Sequence, residues 1–169
     1  GDRAGFQSFL QAYREELMVP LSAASMESYT RAYPHLIRLH MLHELEAAAD
    51  AAFAGRGREA AVGGWPARLA LTQSGLQTRE PLLSLRQRLY SLLGMEREAG
   101  ECWLQSAKLC RAAGHHETAS IAVLEASARG VQGVPIERAK LLWAAGKSHR
   151  AISELQDVVS IRGGGGGGG

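Results

Sequence analysis

Along this chain apolar positions recur every three to four residues. From residue 6, "FQSFLQAYREELM" sets Phe6, Phe9, Leu10, Tyr13 and Leu17 at the spacing of one helical face. Pro20 is expected to end that helix, because proline lacks the N–H that a helix interior needs. "LSAASMESYTRAY" then offers several Ser and Thr side chains that could cap a helix start. "PHLIRLHMLHELEAAADAAF" carries a broad stripe of Leu36, Ile37, Leu39, Met41, Leu42 and Leu45, with Pro34 placed in a first turn. "AGRGREAAVGG", residues 54–64, holds four glycines among charges and reads as an exposed loop. "WPARLALTQ" restarts a short helix with Pro66 just inside it. In "TREPLLSLRQRLYSLLG", Leu82, Leu85, Leu89 and Leu92/Leu93 repeat at helical spacing. Thr78 is the expected cap there, Pro81 the first turn, and Gly94 the stop.

The last third repeats itself. "AKLCRAAGHHETA" at 107–119 returns 32 residues later as "AKLLWAAGKSHRA" at 139–151, with Ala107, Lys108, Leu109, Ala112, Ala113, Gly114 and Ala119 identical in the copy. A period in the low thirties marks stacked helical hairpins. Each unit reads as a helix, a glycine stop at Gly114 or Gly146, a turn, and a return helix. The small alanines allow close helix approach, and glycine accepts the left-handed conformation that closes a helix. One hairpin cannot bury its own apolar face, so neighbours must stack on it. No segment reads as a strand. The fold class expected is all-α: an α-solenoid of antiparallel TPR-like hairpins over residues 1–162, of about nine helices or fewer. Gly163 to Gly169 form an unbroken glycine run, expected to behave as a flexible tail.

Composition agrees. Hydrophobic residues make up 46% of the chain, weighted toward Ala and Leu, which favour helix over strand. The net charge of +2 shows none of the basic excess of a typical nucleic-acid binder. No apolar run approaches 18 residues, so no membrane span is expected, and no signal-peptide pattern opens the chain. Cys102 and Cys110 stand eight residues apart in one expected helix. That is about 12 Å along its axis, too far for a disulfide. Both read as reduced thiols, consistent with a cytosolic or nuclear setting.

Candidate chemistry is sparse. "GDRAG" at residues 1–5 partly matches the G-D-R-H-x-x-N catalytic loop of lipid-kinase-like protein kinases, in which the Asp orients a hydroxyl and the Asn holds Mg²⁺. Here Ala4 replaces the His, no Asn follows, and no phosphate loop or D-F-G appears. His35, His40 and His43 cluster near Glu44 and Glu46, and His40 with His43 could share a helix face and hold a metal. No H-E-x-x-H spacing supports that, so surface or groove-lining histidines are expected. His115-His116 reads as turn and cap, and Trp65, Trp103 and Trp143 as interhelical packing. "GRGREAAVGG" lacks the G-K-[ST] of a P-loop, and no G-x-S-x-G elbow occurs. No catalytic, cofactor-binding or metal-binding residue is expected in this chain.

Four stretches in order carry a family resemblance: "VPLSAASMESYTRAYPHLIRLHMLHELE" (19–46), "RLALTQSGLQTREPLLSLRQRL" (68–89), "GECWLQSAKLCRAAGHHETASIAVLEA" (100–126) and "VPIERAKLLWAAGKSHRAISELQ" (134–156). They resemble the FAT domain of the ATR-type checkpoint kinases, within the phosphatidylinositol-kinase-related protein kinases. The resemblance implies a TPR-like α-solenoid that wraps and supports a kinase domain. It implies a parent nuclear serine/threonine kinase that answers DNA damage and replication stress at Ser/Thr-Gln sites. ATP and Mg would belong to the kinase domain of that parent. The implied partners are that kinase domain, neighbouring repeats of the same chain and a regulatory protein, with no direct nucleic-acid or membrane contact. Two other readings compete: a free-standing TPR-like adaptor that binds a peptide or partner helix, and a small helical enzyme built on His40 and His43. Exposed apolar faces at its ends would leave such a solenoid segment marginally stable.

Overall fold

The computed structural model describes residues 2–23, 29–55 and 57–163. Every regular element among them is helical: α1 (Arg3–Ser22), α2 (Tyr29–Ala54), α3 (Arg58–Val62), α4 (Trp65–Leu71), α5 (Leu76–Leu92), α6 (Glu96–Ala112), α7 (His116–Ala128), α8 (Val134–Ala144) and α9 (Ser148–Gly163). The all-α expectation holds. The chain divides into two compact units, Gly1–Gly94 and Met95–Gly169.

In the first unit α2 is the central element, with α1, α3 and α5 packed on it. Leu10 and Leu17 of α1 are buried, as are Ile37, Leu42, Ala48 and Ala51 of α2 and Leu82, Leu83 and Leu89 of α5. Asp2 caps α1: its carboxylate accepts from the Gly5 N–H at 2.9 Å.

Three prolines sit where the sequence reading did not put them. Pro20 does not end α1, which continues to Ser22. Pro34 and Pro81 lie in the sixth positions of α2 and α5, not in their first turns. The same reason serves all three. A proline deprives the carbonyl four residues earlier of its donor, and those residues, Glu16, Thr30 and Gln77, are all exposed, so solvent can satisfy the freed oxygen. Pro66 does occupy the start of α4, as expected. Thr78 is not the cap of α5; it lies inside the helix, which starts after Gly75. Of the expected cap residues between α1 and α2, Ser25 and Ser28 lie outside the described residues.

The 54–64 stretch is only partly a loop. Gly55 and Gly57 have positive φ, but α3 occupies Arg58–Val62 and buries Val62. Arg58 anchors it by donating to the Leu93 carbonyl at 2.9 Å.

In the second unit α6 packs on α7, α8 on α9, and α7 and α6 both meet α8. The repeated sequence marks the same turn twice. Gly114 (φ +83°) and Gly146 (φ +73°) follow α6 and α8. The His115 N–H reaches the Cys110 carbonyl at 2.8 Å and the Gly114 N–H the Arg111 carbonyl at 3.0 Å. Lys147 to Leu142 (2.9 Å) and Gly146 to Trp143 (3.0 Å) duplicate the pair. This is a Schellman closure, which satisfies the last helical carbonyls through a left-handed residue. Ala107, Ala119, Ala139 and Ala151, which the repeat shares, are all buried. Gly100 explains another close approach. A Cβ there would stand 2.4 Å from Val131 Cγ2 and 2.8 Å from Arg129 Cβ, so α6 and the segment after α7 touch through a missing side chain. α9 extends to Gly163; the rest of the expected glycine tail, 164–169, lies outside the described residues.

Candidate functional site

The most buried charges are used to join helices. Glu44 of α2 and Arg86 of α5 form a two-pronged pair: Arg86 Nε donates to Glu44 Oε2 at 2.8 Å and Nη2 to Oε1 at 2.5 Å. Their side chains are only 0% and 3% exposed. The guanidinium also lies 5.6 Å from the centre of the Trp65 ring, and Trp65 meets Tyr90 at 5.0 Å, tilted 56°. Geometry and stacking together offset the cost of taking both charges out of water. Both Glu44 oxygens are committed to Arg86.

A second buried carboxylate, Glu137 of α8, is 1% exposed and accepts from Arg111 Nε of α6 at 2.5 Å. Its other oxygen makes no hydrogen bond and has the Lys140 ammonium 3.9 Å away. Arg138 ties α8 to both neighbours, reaching Glu154 of α9 at 3.3 Å and Ser127 of α7 at 3.3 Å. Arg129 pairs with Glu125 (2.6 Å) and Glu96 (3.0 Å); chiefly its bond to Glu125 pushes the guanidinium pKa further up. These contacts position helices.

The sequence candidates separate on the structure. Asp2 of "GDRAG" is a helix cap, with its carboxylate turned to backbone. His40 and His43 are both exposed, and no cluster of three metal-ligating side chains occurs among the described residues. Glu44, which looked like their neighbour, is buried against Arg86. His115 precedes α7 and His116 begins it, both exposed, as a turn requires. Trp65 is fully buried, but Trp143 is 62% exposed, against the expectation that all three tryptophans pack between helices. Cys102 and Cys110 are buried thiols. Sequence reasoning missed both ion pairs. Their signal was a charge inside an apolar stripe: Glu44 stands seven residues after Ile37 and four before Ala48, and Arg86 four after Leu82.

Some outward features among the described residues are apolar. Ile152, Leu155 and Val159 expose 46%, 43% and 70% of their surface along one face of α9, and with Asp157 they border a shallow cavity. Ile121 and Leu124 are likewise exposed on α7. Exposed apolar stripes of this kind mark surfaces built to be covered.

Helical hairpins closed by repeated glycine caps and joined by buried ion pairs define a helical-repeat scaffold. The FAT domain family matches residues 1–162, and the chain belongs to that family. It is 46% identical to the serine/threonine-protein kinase ATR of Arabidopsis thaliana over 162 residues, 86% of this chain and 6% of that protein. It is 29% identical to ATR of Drosophila melanogaster over 184 aligned positions, 94% of this chain and 7% of that protein. Similarity extends to the kinase ATM of Arabidopsis thaliana at 27% identity, covering 90% of this chain and 5% of that protein. The chain thus spans only a small part of the length of these relatives. No solved structure matches it significantly.

Proposed function

We propose that this chain is a non-catalytic scaffold segment of an ATR-like serine/threonine kinase, acting in the nucleus in the checkpoint for DNA damage and replication stress. The observation that carries the reading is the 46% identity to a plant ATR kinase across 86% of the chain. The structure supports the scaffold role. The buried carboxylates Glu44 and Glu137 are engaged by arginines from other helices. The exposed stripes of α7 and α9 suit stacking against further helical repeats of the same parent chain and against its kinase domain, with a regulatory protein as a further partner. ATP and Mg would be bound by that kinase domain.

Two measurements test the reading. The purified chain, given ATP, Mg²⁺ and a Ser-Gln peptide, should transfer no phosphate; robust transfer overturns the scaffold role. Replacing this segment in the full parent kinase by a flexible linker should abolish kinase activity toward the same peptide. Full activity without the segment would equally overturn it.

A further inference from the structure

The two hairpins of the second unit, α6–α7 and α8–α9, repeat at an offset of 32 residues. Each side chain by which the first hairpin reaches the second therefore has a counterpart 32 positions on. Leu104 of α6 lies against the start of α8, its Cδ2 3.7 Å from where a Cβ on Gly133 would stand. Arg111 of α6 donates to Glu137 of α8 at 2.5 Å. Ser127 of α7 accepts from Arg138 of α8 at 3.3 Å. The counterparts of Leu104, Arg111 and Ser127 are Ile136, Trp143 and Val159. All three are apolar, and they are 41%, 62% and 70% exposed, whereas Leu104 is 6% exposed. Val123 of α7 is likewise buried, and its counterpart Leu155 is exposed. The second hairpin thus turns outward the same face by which the first is joined to it. In stacked repeats that face is buried by the next repeat.

The chemistry of the face changes between the two hairpins. Arg111 and Ser127 meet a carboxylate and a guanidinium, but Trp143 and Val159 offer neither charge nor hydroxyl in their place. A hairpin stacked in the same register sets its own residues at the places of Glu137 and Arg138 against them. A charge buried there would be left unpaired, so both places call for apolar side chains. A second copy of this chain stacked in register fails that requirement, because it brings Glu137 and Arg138 themselves. The matched stretch is 6% of the length of the Arabidopsis thaliana ATR kinase, which leaves ample parent chain for a further hairpin. Glycines fill positions 164–169 and disfavour helix, so that hairpin belongs after them.

We propose that the outer face of α8 and α9 docks a third helical hairpin of the same parent chain, anchored on Trp143, with apolar residues where the second hairpin carries Glu137 and Arg138. The inference deepens the scaffold reading and rests on it for the longer chain. Maleimide labelling of Val159→Cys, followed by mass spectrometry of that peptide, should be at least about tenfold slower in the full parent kinase than in the 169-residue chain. Trp143→Arg restores the residue of the first hairpin. It should leave the melting temperature of the 169-residue chain unchanged, because Trp143 is exposed, and should remove most of the protection in the parent. Benzoylphenylalanine at position 143 of the parent should cross-link within the same polypeptide, to an apolar helix position beyond Gly169. Equal labelling in chain and parent, a cross-link anywhere else, whether kinase domain, second copy or other protein, or a lowered melting temperature for the Trp143→Arg chain would each overturn the proposal. A parent that labels like the isolated chain, yet needs this segment for phosphate transfer, would sink the third hairpin and leave the scaffold reading standing.

Discussion

Arg86 on α5 holds both carboxylate oxygens of Glu44 on α2, and both side chains are nearly sealed from solvent. Breaking a buried pair from one side leaves an uncompensated charge, at a cost of about 3–5 kcal/mol. Glu44→Ala or Arg86→Ala should each lower stability by that order in urea unfolding. Glu44→Leu with Arg86→Met together should recover most of the loss, since no charge is then stranded. Single variants within about 0.5 kcal/mol of the parent chain would show that the pair does not hold α2 and α5 together.

Gly100 and Gly114 should fail for different reasons. At Gly100 an added methyl meets Val131 and Arg129 at once. Gly100→Ala is expected to cost about 1–3 kcal/mol through overpacking, and Val131→Ala should relieve part of it. At Gly114 nothing lies within 4 Å of an added Cβ, but φ is +83°. Gly114→Val should cost about 1–2 kcal/mol from backbone strain, with Gly114→Asn milder. An unchanged melting temperature for Gly114→Val would dismiss the left-handed cap.

The α9 stripe is the surface expected to be sticky. Ile152→Glu with Val159→Lys should leave helicity unchanged and lower the melting temperature only slightly, because Val159 is 70% exposed and Ile152 about half exposed. The same change should reduce concentration-dependent association in sedimentation velocity. A large loss of stability would mean that these side chains support the core.

His40→Ala and His43→Ala, singly or together, should shift stability by less than about 0.5 kcal/mol. Zinc titration by calorimetry should give no stoichiometric heat in either the parent chain or the variants. Stoichiometric zinc lost in the double variant would revive a metal role for this helix face.

Asp2→Ala should cost about 1 kcal/mol and fray the start of α1, raising amide exchange there. Unaltered exchange in the first turn would remove Asp2 from its capping role.

How much of this was legible beforehand depended on range. Gly94, Gly114 and Gly146 announced themselves as stops because a left-handed closure needs glycine whatever packs nearby. The prolines misled. Proline's local cost predicts a boundary at Pro20, Pro34 and Pro81, whereas exposure of the carbonyl four residues back lets each helix run on. Thr78 misled in a similar way: a good cap residue lost to Gly75, which starts α5 without a side-chain cap. The His40–His43–Glu44 cluster dissolved because helical phase sends the histidines outward and the glutamate inward.

The all-α class, the repeated hairpin with its glycine closures and the family resemblance are legible along the chain, because periodicity and backbone chirality act within a few residues of one another. Helix packing fixes which charges are structural, which tryptophan stays in solvent, and that α1, α2 and α5 leave a groove beside Arg38. Those outcomes depend on residues tens of positions apart, such as Glu44 and Arg86, whose meeting is set by how whole helices pack.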